Sequence, residues 1–146
     1  MQLANADTDT ITETLHVQGQ PFHYLQTEGA FSQPNAHVCE HMLTWAVRVT
    51  AQNNSHSGSK GDLLELYCGG GTFTAPLSQN FPRVLATEIS KASVALAKKC
   101  FVMNNITNVN ILPLSSEEFT EWFEASKRGE VRGGKAAGIQ SADSIR

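Results

Sequence analysis

Asp62-Leu63-Leu64-Glu65-Leu66-Tyr67-Cys68-Gly69-Gly70-Gly71-Thr72-Phe73 reads as a short apolar strand that runs into a glycine turn and then opens a helix. Such a turn needs glycine because it is tight, and because a ligand must approach a backbone with no side chain in the way. A second strand-like run, Arg83-Val84-Leu85-Ala86-Thr87-Glu88, ends on an acid 19 residues after Gly69. In nucleotide-binding βαβ units an acid about 20 residues beyond the glycines accepts hydrogen bonds from a ribose. Turn and acid, in this order, point to an adenosine-containing cofactor. The competing reading is a buried strand-to-helix turn in which glycine serves geometry alone.

The spacing discriminates among cofactors. A dinucleotide site needs G-x-G-x-x-G, the third glycine letting helix and strand pack closely. Gly69 and Gly71 occupy the first two places, but the third falls on Thr74, which disfavours NAD. An acid four residues before the turn (Glu65), a G-x-G and an acid closing the next strand suit S-adenosylmethionine, which has an amino-acid end and a ribose but no pyrophosphate.

These strings, with "RVLATEISKASVALAKK" and "NVNILPLSSEEFTEWF" after them and "HYLQTEGAFSQPNAHVCEHMLTWAV" before them, resemble the tRNA uracil-5-methyltransferases over roughly Thr12 to Glu124. The resemblance implies a class I S-adenosylmethionine-dependent methyltransferase fold, α/β and Rossmann-like, present as its N-terminal half and preceded by a β-hairpin and a helix. It implies methyl transfer to C5 of a T-loop uridine and tRNA as partner. It also implies cofactor contacts at Gln33 of the F-S-Q-P-N string, Tyr67 of L-Y-C-G and Glu88 of A-T-E, beside the turn residues Gly69 and Gly71. Thr72 stands where the family carries a cofactor-binding asparagine, and a hydroxyl offers one donor where an amide offers two. The family's S-C-N-P cysteine and D-P-P-R string do not occur, and none of Cys39, Cys68 and Cys100 precedes Asn-Pro. The chain is therefore expected to be an internal piece of such an enzyme, with no catalytic residue of its own. The alternative is an inactive fragment or a module that only binds S-adenosylmethionine.

Composition agrees with a globular chain. Of 146 residues 40% are hydrophobic and 17% charged, ordinary values for a soluble domain. The three cysteines, in no metal-like spacing, suggest free thiols in a reducing compartment. No apolar run approaches the roughly 18 residues of a membrane span, and the first residues carry no basic-apolar signal pattern, so the cytoplasm is the expected location. Residues 1–125 hold six basic side chains against twelve acidic ones, and five of the eleven Lys and Arg residues fall in the last twenty. A body so poor in basic groups is not a free-standing RNA binder, because phosphates must be met by cations.

Along the chain, residues 1–11 read as a loose lead-in and 12–50 as a hairpin and helix. Residues 51–61 form a polar linker, 62–125 a partial cofactor domain, and 126–146 a disordered tail. Thr14–Val17 and Phe22–Leu25 flank Gln18-Gly19-Gln20-Pro21, a hairpin with a longer loop. Pro34-Asn35 opens a helix to about Thr50, with Val38, Met42, Trp45 and Val49 as its core stripe. His37 and His41 share a helix face but lack further ligands, so no metal is expected. Pro76 is awkward in a helix unless that helix starts late. Ser90 or Ser93 caps the next helix, which turns Val94, Ala97 and Phe101 inward and ends at Asn104-Asn105. Val109–Leu114 is a third strand, followed by a capping box of Ser115 and Glu118. The order βαβαβα predicts a parallel sheet whose strands lie 3-2-1. That leaves the first strand, Leu63–Tyr67, as an open edge prone to self-association.

Overall fold

Three parallel strands, β3 (Leu63–Glu65), β4 (Val84–Thr87) and β5 (Val109–Leu112), form a sheet in the order β3-β4-β5, as the 3-2-1 expectation requires. The structure is a computed structural model that describes residues 10–29, 31–56 and 61–130, with backbone only for 52–56. Most of the expected lead-in and tail, and part of the linker, lie outside these residues. Ahead of the sheet come β1 (Thr10–Val17), β2 (Gln20–Thr27) and α1 (Ala36–His56). Within it lie α2 (Thr74–Leu77, continued by a 3-10 turn over Ser78–Asn80), α3 (Lys91–Met103) and α4 (Ser116–Lys127).

β4, central in the sheet, is buried at all four positions, as a strand covered on both faces must be. β3 and β4 are in register from Leu63 opposite Val84, and a two-pronged ion pair fixes their starts: Arg83 Nε and Nη2 donate to Asp62 Oδ1 and Oδ2 at 3.1 and 2.7 Å. β3 is shorter than expected. Tyr67 sits at φ +58°, so the chain leaves the pleat before it, although Cys68 N–H still reaches Thr87 O at 3.0 Å. Among the described residues β3 pairs only with β4, and Leu64 and Leu66 are exposed beside its free edge.

The helices start and stop where their side chains dictate. The Ser90 hydroxyl accepts from Ser93 N–H and caps α3, whose Val94, Ala97 and Phe101 are buried as expected. Asn104 closes it, with Asn105 in the left-handed region at φ +56°. Ser115 and Glu118 form the reciprocal capping box of α4. The helix after the glycine turn does begin late, at Thr74, which puts Pro76 in its first turn.

The hairpin and α1 depart from expectation. The hairpin turn is only Gln18-Gly19, at φ +52° and +80°, so Gln20 and Pro21 belong to β2. Two left-handed residues give the turn whose twist matches that of paired strands. α1 is capped by Asn35, whose Oδ1 accepts from Val38 N–H at 3.0 Å, and it runs past Thr50 to His56 because Ala51 and Gln52 are good helix formers. Its core face is not the expected one. Val38 and Trp45 are 52% and 66% exposed, and Met42 is also exposed, whereas Cys39, Leu43, Ala46 and Val47 are buried. Both stripes have helical spacing, but the one with Cys39 and Ala46 carries small side chains that let the hairpin come close.

The hairpin and α1 share one apolar cluster with α2 and α3: Leu15, Val17, Phe22, Tyr24, Leu43, Ala75, Leu77 and Cys100 pack together. Polar bonds hold the same contact. The side-chain amide of Asn104 both accepts from His23 N–H at 2.8 Å and donates to His23 O at 2.7 Å, standing in for a strand partner of β2. Leu25 N–H donates to Cys100 Sγ at 3.2 Å.

Gly71, at φ +84°, is the glycine that packing demands: a Cβ there would lie 2.8 Å from Phe101 Cε1. A Cβ at Gly70 would meet nothing within 4 Å. Gly71→Ala is therefore expected to destabilise the chain by roughly 1–3 kcal/mol in urea unfolding, while Gly70→Ala stays within about 0.5 kcal/mol. Equal effects at both positions would contradict the close approach of helix and loop.

Candidate functional site

The carboxyl end of the sheet opens into a cavity of about 470 Å³. The strand order places it there. Outside the carboxyl ends of parallel strands the loops diverge, leaving a crevice that backbone amides face. Its walls include Gln33, Tyr67, Gly69, Thr72 and Glu88, so five of the six sequence-derived positions meet at one place. The sixth, Gly71, faces Phe101 of α3 and shapes the loop from behind.

Glu88 closes β4 and organises the floor. Its Oε2 accepts from Gly69 N–H at 3.0 Å and its Oε1 from Ser90 N–H at 2.8 Å. One carboxylate thus staples the glycine turn to the start of α3. An ionised carboxylate has about four acceptor sites, so two remain for a ligand's hydroxyls. Gly69 is at φ +57°, and a Cβ there would meet no protein atom within 4 Å. The space beside it is open rather than filled by packing.

Tyr67 is held in a conformation that L-residues seldom adopt, with its hydroxyl donating to Glu117 Oε1 at 2.6 Å. That bond holds the phenol above the usual tyrosine range and the Glu117 carboxyl below the usual carboxylate range. Thr72 presents its side to the cavity, while its carbonyl accepts from Tyr24 Oη at 3.0 Å.

Two buried groups lie behind the turn. Burial pushes Glu65 up to about 7. Glu65 Oε2 and Thr74 Oγ1 are both buried without a hydrogen-bond partner among the described residues. The Cys68 thiol is pushed up to about 12 by burial and by the Glu65 and Glu88 carboxyls, which makes it a packing residue at neutral pH. Cys39 and Cys100 are likewise buried and raised. His37 Nδ1 lies 3.4 Å from Glu40 Oε2, and no metal-holding group of three ligands occurs among the described residues. No helix among them is long and apolar enough to cross a membrane.

Sequence reasoning missed Tyr24, Leu25, Phe31, Ser93 and Leu96 on the cavity wall. Ser93 and Leu96 follow from the cap and period of α3. Tyr24 and Leu25 reach the site only because the hairpin docks on α3, a long-range contact with no local signal. Phe31, 87% exposed two residues before Gln33, could have been found as a large apolar residue in an otherwise polar loop.

The strand order, the glycine turn and the acid closing the second strand define the N-terminal half of a class I methyltransferase fold. Solved structures agree on that fold. The tRNA (uracil-54, C5)-methyltransferase of Pyrococcus abyssi, in complex with S-adenosyl-L-homocysteine, matches 72% of this chain and 24% of that one at TM-score 0.56 and 18% identity. A Thermus thermophilus 16S rRNA N2 G1207 methyltransferase matches 76% and 29% at TM-score 0.59 and 20% identity. The tRNA (Uracil-5-)-methyltransferase family model matches residues 2–134, and the chain belongs to that family. Among relatives, a tRNA/tmRNA (uracil-C(5))-methyltransferase from Vibrio cholerae is 51% identical over 121 residues, 83% of this chain and 31% of its own length. One from Cellvibrio japonicus is 55% identical over 79% of this chain and 30% of its own. The chain spans about a third of the length of these relatives.

The half-buried Glu65 generates a pH prediction. Its folded pKa of about 7 lies above the ordinary glutamate value of 4.5, so the folded state binds the proton more tightly. The stabilisation is fully present below pH 4.5 and is lost as pH rises through 7. At about 1.4 kcal/mol per unit, less a discount for partial exposure, the loss is at most about 3 kcal/mol. Glu65→Gln should flatten this part of the stability–pH profile and be the more stable protein at pH about 8. Parallel profiles for the two proteins would show that Glu65 ionises freely in the fold.

Proposed function

We propose that the cavity holds S-adenosylmethionine and that the chain is the cofactor-side part of a tRNA uracil-5-methyltransferase. The observation that carries this is the Glu88 carboxylate, fixed by Gly69 and Ser90 amides with acceptor capacity to spare, on a wall shared with Gln33, Tyr67 and Thr72. The free acceptors suit the two hydroxyls of a ribose. Gln33, Tyr67 and Thr72 border the rest of the ligand, while Gly69 and Gly71 give the turn its path. The cofactor supplies an electrophilic methyl group, and these residues bind and orient it.

The substrate proposed for the whole enzyme is a T-loop uridine of tRNA, methylated at C5. That reaction requires a thiolate to add to C6 of the base. Cys39, Cys68 and Cys100 are buried with raised thiols, which favours a binding role for this stretch over catalysis by it. The acidic excess of residues 1–125 likewise assigns most RNA contact to other parts of such an enzyme. Cytoplasmic residence goes with this reading, as does self-association through the free β3 edge beside Leu64 and Leu66.

Calorimetry tests the assignment. S-adenosylhomocysteine is expected to bind, and Glu88→Ala to weaken it by roughly 1.5–3 kcal/mol as the ribose loses a charged acceptor. Undiminished affinity in the variant, or tighter binding of NAD, would remove the cofactor assignment. Incubation with labelled S-adenosylmethionine and unmodified tRNA should leave the RNA unlabelled, and cysteine-dependent labelling would show a nucleophile among the three thiols.

A further inference from the structure

The glycine turn leads into α2 through a backbone ladder with one rung missing. Ala75 N–H donates to Gly71 O at 3.0 Å, and Leu77 N–H to Phe73 O at 3.1 Å. The rung between them would run from residue 76 to Thr72 O, but residue 76 is proline and has no N–H to give. Tyr24 fills the vacancy: its hydroxyl donates to Thr72 O at 3.0 Å from β2, 48 positions away in the chain. The ring is 2% exposed and packed in the cluster that joins the hairpin to the sheet unit. Burial holds its phenol far above the usual tyrosine range, so it stays a donor at any working pH. Tyr24 also lines the cavity beside Thr72.

We infer that Tyr24 is a positioning residue for the cofactor loop: its hydroxyl replaces the backbone hydrogen bond that Pro76 forfeits and so fixes Thr72 on the cavity wall. This rests on the reading that the cavity takes an adenosine cofactor. It adds to that reading a residue outside the glycine and acid motifs, and it gives the hairpin a role in binding. A part-buried carbonyl that loses the hydroxyl donating to it must find another donor, and the loop that carries it shifts to do so. Without the Tyr24 hydroxyl, Gly69 to Phe73 would lose its anchor at the point where the helix ladder is broken.

Four proteins test the inference: the natural chain, Tyr24→Phe, Pro76→Ala and the double variant. Phenylalanine keeps the ring, and alanine at 76 restores an N–H that can reach Thr72 O within the helix. Tyr24→Phe is expected to weaken S-adenosylhomocysteine binding roughly tenfold. It should also speed amide hydrogen exchange across residues 69–77 in the free protein. In the Pro76→Ala background the same change should alter affinity less than about twofold and leave exchange slow. A merely structural role for Tyr24 would not be rescued at position 76. Unchanged loop exchange in Tyr24→Phe, or an equal loss in both backgrounds, overturns the inference. If no protein of the set binds S-adenosylhomocysteine, the cofactor reading falls, and the exchange pattern alone decides whether Tyr24 holds the loop.

Discussion

A single carboxylate at the end of the central strand sets the geometry of everything around the cavity. Glu88 accepts the Gly69 amide with one oxygen and the Ser90 amide with the other. The glycine turn therefore cannot drift from α3 without stranding either the Gly69 or the Ser90 backbone donor. The sheet makes this possible. β4 lies between its two parallel neighbours and is buried throughout, so the residue that follows it is delivered to a fixed point. The Gly71–Phe101 contact then presses the loop onto α3 from the opposite side. A turn held by a carboxylate in front and by close packing behind leaves Gly69, Gly70 and Thr72 on the wall of one open space.

The hairpin completes that space rather than decorating it. β2 is an edge strand, and an edge must find partners for its outward N–H and C=O groups. Here the side-chain amide of Asn104 and the sulfur of Cys100 take that part, which fixes the hairpin against the end of α3. Docked there, β2 brings Tyr24 to the Thr72 carbonyl, and the segment after it carries Gln33 and Phe31 to the cavity. The residues ahead of the sheet thus supply one wall of a site whose other wall is the glycine turn.

Much of this was legible in the chain. The three strands of the sheet, their 3-2-1 order, the Ser90 cap and the Ser115–Glu118 capping box all follow from local patterns that tertiary packing did not override. The meeting of Gly69, Tyr67, Thr72 and Glu88 follows from strand order alone. The exposed stripe of α1 shows the limit of periodicity. Val38, Met42 and Trp45 and the buried Cys39, Leu43 and Ala46 both repeat at helical spacing, and only the shape of the facing hairpin chose between them. The turn at Gln18-Gly19 was hidden because glutamine seldom takes a left-handed conformation. Tyr24 was hidden because its partner is a backbone carbonyl 48 residues away, made available by a proline whose cost was visible but whose compensation was not.

The central claim, that an adenosine cofactor sits between the glycine turn and the hairpin, is tested most directly by a two-dimensional amide NMR titration with S-adenosylhomocysteine. The largest shifts should fall on the backbone of Gly69, Gly70, Thr72 and Ser90 and on the Gln33 side-chain amide, with the Asp62–Arg83 end of the sheet undisturbed. Shifts centred elsewhere, or none at saturating ligand, would contradict it.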